Sequence, residues 1–322
     1  MTARSNPTPN RIGLPDLAAL VYLGAVWGAA FLFFRVASPE VGPVWTAEIR
    51  IALAGLAIAG FIGPRRVLAL RPHARKLVII GATFSAIPFT LLAFATLTLP
   101  GSLASLLMAT TPLFTAIIAM AWLGQRPTRR VVAGLAIGFG AVAVLLGGDA
   151  GDIGPATLVA FGAGLVAALS YAVAGTYVRR AANGIPPIDL AAGQLLAGAA
   201  VLLPIALLSG APRMPATDGV VSLVLLALVS TAIAWPVYFR MSERTNATTA
   251  STPTFIVPMF GMLWGGLLLG EPIGLELIAG FSMTLVSLVL VLPVPIGAIR
   301  DGVVRRTAFL GHGPLAAAVD AA

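Results

Sequence analysis

The sequence predicts an all-α integral membrane protein of ten transmembrane helices, arranged as an inverted five-plus-five internal repeat. Three observations carry that expectation. Of 322 residues, 58% are hydrophobic and only 10% are charged, against about 25% charged in a soluble chain. The chain also repeats itself. A shift of 146 positions puts Pro112 on Pro258, Leu123-Gly124 on Leu269-Gly270, Gln125 on Glu271, Ala133-Gly134 on Ala279-Gly280 and Ala86-Ile87 on Ala232-Ile233. Nearer the N-terminus the offset is 144, pairing Trp27 with Tyr171, Arg35 with Arg179 and Arg50 with Gln194. Finally, the basic residues gather on alternate loops.

A span needs about 20 mainly apolar residues. The first unit, residues 17–146, supplies helix 1 (17–37), helix 2 (44–62), helix 3 (77–98), helix 4 (102–123) and helix 5 (131–146). The second, residues 156–295, supplies helix 6 (156–178), helix 7 (188–208), helix 8 (220–239), helix 9 (247–269) and helix 10 (273–292). Residues 147–155 form an external linker between them. Turn residues mark the joints: Gly42-Pro43, Gly63-Pro64, Pro100-Gly101, Gly124 with Pro127, Gly184 to Pro187, and Gly270 with Pro272. Barrel strands would alternate apolar and polar residues, and these runs do not. Residues 1–16 are polar, and the run after them lacks a clean cleavage site, so helix 1 is expected to be retained. Residues 296–322 are too short in apolar length to span again.

Lys and Arg accumulate in cytoplasmic loops. With both termini in the cytoplasm, seventeen of the 20 basic residues fall inside, five of them between Arg65 and Lys76. The outer loops hold only Arg213; Arg35 and Arg50 lie within spans. Five helices per unit is an odd number, so the second unit must lie upside down. The matched loops agree. The inner loop 125–130 carries three arginines, whereas its outer counterpart 271–274 carries none. The expected setting is the cytoplasmic membrane. Inverted repeats of this kind are typical of secondary transporters with a midplane site between the repeats.

The chain resembles the EamA-like family of the drug/metabolite transporter superfamily. The resemblance lies in Trp27-Gly28, Arg50-Ile51 and the paired signatures Pro112…Leu123-Gly124 and Pro258…Leu269-Gly270-Glu271, over residues 17–295. That family usually has Glu after both Leu-Gly pairs, and here the first copy has Gln125. The resemblance implies export of small metabolites, amino acids or drugs. It also implies a cavity among helices 1–4 and 6–9, with helices 5 and 10 outside.

Among candidate site residues, Arg50 stands first, because an ionisable group inside a membrane is expensive. It could hold a substrate carboxylate, or be a structural pair of Glu40 or Glu276. Glu48, two residues away, does not share its helix face. Gln194, its repeat mate, could bond substrate or a neighbouring helix. Trp27, Tyr171, Trp235 and Trp264 lie inside their spans, where they would line a cavity or pack. Thr110, Thr111, Thr252 and Ser170 offer hydroxyls near the kink-permitting Pro112 and Pro258. Glu48 and Glu276 are the carboxylates available as proton carriers. Asp16, Asp149, Asp152, Asp189 and Glu243 are expected in water at loops or helix ends. Gly134 and Gly138 form a Gly-xxx-Gly pair, which suits close helix contact within the bundle or in a homodimer.

Other classes fare worse. A lipid-modifying membrane enzyme needs a His, Cys or carboxylate cluster, and the chain has no Cys and two isolated His, at 73 and 312. No enzyme activity and no metal or other cofactor is expected. A channel, or the membrane subunit of a larger complex, would be expected to show charge rings or a filter loop. The net charge of +8 reports cytoplasmic loops rather than nucleic-acid binding. The partners expected are the lipid bilayer and a small-molecule substrate.

Overall fold

The computed structural model describes residues 14–123, 128–148, 154–182, 184–244 and 253–291. Among the described residues there are helices and no strands. Among the same residues, seven helices or helical runs are long and apolar enough to cross a membrane. Two shorter apolar helices, Ile256–Leu269 and Leu275–Ser287, accompany them.

The first unit begins with α1 (Leu14–Val41), longer at both ends than the apolar run suggested, and α2 (Pro43–Ile62), longer only at its start. Gly42, at φ 87°, makes the turn between them, and Pro43 opens α2 where no N–H partner is needed. A short α3 (Pro64–Ala69) and a 3₁₀ turn (Arg71–His73) carry the basic loop. The third span is composite: α4 (Ala74–Gly81), a π-helical stretch (Ala82–Ala86) and α5 (Ile87–Ala95). Arg35 closes its far end by donating to the carbonyls of Thr96 and Leu99 at 2.9 and 3.1 Å, the usual use of a cation at a helix C-terminus.

The expected helix 4 is broken into α6 (Gly101–Met108) and α7 (Thr111–Leu123). Pro112 is the cause. It has no N–H for the Met108 carbonyl, which instead accepts the Thr111 hydroxyl at 2.7 Å. The Thr110 hydroxyl likewise goes to Leu107 O at 2.6 Å. Helix α8 (Arg129–Gly148) ends the unit.

The second unit runs α9 (Pro155–Ala181), α10 (Pro187–Leu208), then a second composite span. That span is α11 (Thr217–Ala227), a π-helical stretch (Leu228–Ile233) and α12 (Ala234–Arg244). α13 (Pro253–Leu269), which contains Pro258, and α14 (Leu275–Val291) follow. The two π stretches lie 146 residues apart, and each has a proline just beyond it, Pro88 and Pro236. A proline ring clashes with the carbonyl four residues back, and widening the turn relieves that clash.

The principal packing partners are α1 with α13, α2 with α10, α6 with α13, and α8 with α14. The first composite span lies against α9 and α10, and the second against α1 and α2. α8 and α14 pack mainly on each other, outside the remaining helices as the resemblance implied. Their contact uses the Gly-xxx-Gly pair within the chain: the Ser287 hydroxyl donates to Gly134 O at 2.6 Å, and a Cβ on Gly138 would meet Ser287 Oγ at 2.6 Å.

Candidate functional site

The two π stretches position the polar centre. Arg50 on α2 is 3% exposed. Its Nε donates to Thr231 Oγ1 in the second π stretch at 2.7 Å. Its guanidinium carbon lies 3.8 Å from the Phe89 ring centroid and 4.9 Å from that of Phe34. Thr231 donates in turn to Leu226 O at 2.6 Å, five residues back, which the wide π turn permits.

The other unit repeats the arrangement. Gln194 on α10 is fully buried, and its Oε1 accepts the hydroxyl of Ser85, in the first π stretch, at 2.9 Å. Arg50 and Gln194 are repeat mates, and Ser85 and Thr231 are 146 residues apart. Each unit therefore sends one polar side chain from its second helix to a hydroxyl in the other unit's π stretch. Further donors cross to the same stretches. Tyr22 Oη reaches Val229 O at 3.1 Å, Trp27 Nε1 reaches Ser230 O at 3.1 Å, and Ser170 Oγ reaches Thr83 O at 2.7 Å. A π turn disturbs the regular ladder of helix hydrogen bonds, and here neighbouring helices bond to its carbonyls. Ser85→Ala should remove the one bond to Gln194 Oε1 and lower stability by on the order of 1 kcal/mol. The check is thermal unfolding of purified protein in detergent, with Ser85→Thr, which keeps the hydroxyl donor, recovering most of the loss.

Aromatic rings join the two polar bridges. Trp235 lies 4.7 Å from Phe84, 5.7 Å from Trp27 and 5.6 Å from Tyr238, centroid to centroid. Phe84 continues to Tyr171 at 5.5 Å, and Tyr171 to Phe89 at 6.4 Å. Trp27, Arg50, Ser170, Tyr171, Gln194 and Trp235 thus come together around the π stretches. The remaining candidates lie elsewhere. Trp264 stacks on Phe260 and donates to Ala25 O at 3.0 Å, holding α13 on α1. Thr110 and Thr111 spend their hydroxyls on the Leu107 and Met108 carbonyls at the end of α6. Thr252 lies outside the described residues. Glu48 is buried, with Oε2 unpartnered; Glu276 is exposed in the first turn of α14.

Three sequence expectations need correction. Glu40 does not pair with Arg50, because its carboxylate accepts the Ala216 N–H at 2.8 Å. Glu276 does not pair with Arg50 either; the salt bridge among the described residues is Arg66–Asp189, at 2.8 Å. Asp189 is not in water but 7% exposed, and it borders a cavity of about 160 Å³ with Arg66, His73 and Ile185. Asp16 is described only by its helix position, and Asp149, Asp152 and the Glu243 side chain lie outside the description.

Sequence reading missed Glu271 as more than a signature residue. Its two oxygens accept the N–H groups of Gly101 and Ser102, at 2.7 and 3.0 Å, across the two units. The signal was present as the acid following Leu269-Gly270, but nothing in one sequence says which helix start it reaches.

Helical spans in two matching units, with polar bridges crossing between them inside the bundle, define a multi-pass membrane protein built from a duplicated helical unit. The sequence profile of the EamA-like transporter family matches residues 16–147 and 158–292, and the chain belongs to that family. It is 26% identical over 283 residues to the uncharacterized transporter YvbV of Bacillus subtilis, covering 84% of this chain and 90% of that one. It is 29% identical over 270 residues to a protein of Streptantibioticus cattleyicolor named "Probable terminal-alkyne amino-acid exporter", covering 81% and 88%. A crystal structure with 18% identity superposes with a TM-score of 0.61 over 86% of this chain and 95% of that one, a likeness of fold alone.

Proposed function

We propose that the protein is a secondary transporter that exports small organic molecules across the cytoplasmic membrane by alternating access. In this reading there are ten transmembrane helices in two inverted units, with both termini in the cytoplasm. The carrying observation is the equivalence of the two polar bridges, Arg50–Thr231 and Gln194–Ser85. A midplane site between inverted repeats is the general plan of such transporters.

The packing supports the inversion. Exchange each span for the one five later, and α2 with α10, α6 with α13 and α8 with α14 map onto themselves. The third span against α9 then corresponds to the eighth against α1. Contacts also sort by end. Glu40 with Ala216, Trp45 with Gly210 and Glu271 with Gly101 join loops assigned outside. Arg66 with Asp189 and Arg130 with Val289 join segments assigned inside. The two units rock about the centre, and Trp27, Tyr171 and Trp235 line the path with Arg50 and Gln194. Where transport is proton-coupled, Glu48 is the carrier, being a buried carboxylate with an open oxygen; exposed Glu276 is second.

The test is uptake into vesicles of purified protein without ATP, screened over amino acids, amines and toxic cations, with and without a pH gradient. A substrate-specific signal is expected. Dependence on the gradient that Glu48→Gln abolishes assigns the proton. A signal indifferent to the gradient makes the protein a uniporter or exchanger. Silence across the panel defeats the transport reading.

A further inference from the structure

Among the described residues, Arg50 carries a charge with no counter-charge. A guanidinium remains protonated at physiological pH and presents five N–H donors. Inside a membrane such a group is almost always paired, and breaking a buried pair leaves an uncompensated charge that proteins avoid. Here the bonds are neutral. Nε uses the Thr231 hydroxyl, and the rings of Phe89 and Phe34 lie 3.8 and 4.9 Å from the guanidinium carbon. No carboxylate among the described residues lies within ion-pair distance of it. Glu40 and Glu271 are engaged with backbone N–H groups at loops, and Asp189 is held by Arg66. Nor do the terminal nitrogens of Arg50 have a hydrogen-bond partner among the described residues.

We infer, resting on the transport reading, that the missing counter-charge is the cargo: an organic molecule with one carboxylate and an apolar, preferably aromatic, body. A planar carboxylate matches two parallel N–H donors of the guanidinium edge. The body then lies along the aromatic run that begins at Phe89 and Tyr171. The repeat mate of Arg50 is the neutral Gln194, so the centre offers one cationic anchor and not two. That disfavours dicarboxylates and bisphosphates. It also gives the cargo a direction, with its acid toward the Arg50–Thr231 bridge and its apolar end toward Trp235.

The experiment compares matched probes on the full chain in lipid nanodiscs. Phenylacetate is set against phenylacetamide, and L-phenylalanine against L-phenylalaninamide; acetate and chloride serve as small anions. Binding is read by calorimetry and by thermal stabilisation. The acid of at least one pair should bind tenfold or more tightly than its amide, and the small anions should compete weakly. Arg50→Gln should erase the preference, and Arg50→Lys should keep part of it. The wild-type comparison needs no variant, so a misfolded Arg50 mutant does not spoil the test. Equal binding of acid and amide overturns the inference, as does binding of neither or competition by chloride alone. Carboxylate binding without transport in vesicles would sink the transport reading but keep the anion site. Transport of neutral molecules undisturbed by Arg50→Gln would do the reverse.

Discussion

Replacing Gly81 with leucine should abolish folded protein in the membrane. A Cβ at this position would lie 2.5 Å from Gly198 N and 2.9 Å from Gly198 Cα, backbone against backbone. The approach is mutual, since a Cβ on Gly198 would meet Gly81 O at 2.9 Å. Flexible side chains can swing aside from such a clash, but two helix backbones cannot. Overpacking of a well-packed interior typically costs about 1–3 kcal/mol, sometimes more, and small residues at helix crossings are what membrane packing relies on. The position also matters for the site. Gly81 is the last residue before the first π stretch, and Gln194, whose amide takes the Ser85 hydroxyl, sits on the facing helix. Gly81→Ala should therefore lower the unfolding temperature in detergent and Gly81→Leu should eliminate the monodisperse peak in size-exclusion chromatography. Gly60 is the control: a Cβ there meets nothing within 4 Å, so Gly60→Ala should behave as wild type. A normal melting temperature for Gly81→Leu would mean that the α4–α10 contact is not as close as described.

That crossing shows what the sequence could and could not reveal. The repeat register alone paired Arg50 with Gln194 and Trp27 with Tyr171, and the structure keeps each pair in equivalent places. Periodicity is what repeats encode, and a shared offset survives even where the residues differ. Composition revealed the helices for a similar reason, because hydropathy needs no neighbours. Facing directions were not legible. These helices are apolar nearly all round, so no hydrophobic face announces the interior. Trp235 and Trp264 looked alike in sequence, yet one joins the aromatic centre and the other bonds Ala25 O. The hydroxyl partners Ser85 and Thr231 escaped notice because the widening of a π turn re-aims side chains. Pro88 and Pro236, each just beyond an equivalent stretch, were the available signal. Asp189 misled for another reason. Its place beside a loop suggested water, but Arg66 from a separate loop covers it.

Glu271→Ala should slow transport and destabilise the fold together. Gly270 has φ 65° and turns the chain at the end of α13, and the Glu271 N–H then bonds back to Gly265 O at 3.1 Å. This loop geometry delivers the carboxylate to the first turn of α6, where it takes the N–H groups of Gly101 and Ser102. The first N–H groups of a helix have no partner within it, and the partial positive charge of that end favours an anion. Hydrogen bonds to a charged group contribute about 1.5–3 kcal/mol, so losing two should be plain in the unfolding temperature. Glu271→Gln keeps one acceptor oxygen and should fall between wild type and alanine. Gly265 supplies an independent test, because a Cβ there would press on the Glu271 carboxylate. Gly265→Ala should weaken the same contact, and its effect should not add to that of Glu271→Ala, as expected for partners in one interaction. The contact joins Gly101 of the first unit to Glu271 of the second. In the proposed alternating-access cycle, two units that rock against each other must break or carry this tie, so the variant should change turnover more than half-saturation. Full additivity of the two substitutions, or a changed half-saturation with normal turnover, would show that Glu271 acts some other way than by holding these helix ends together.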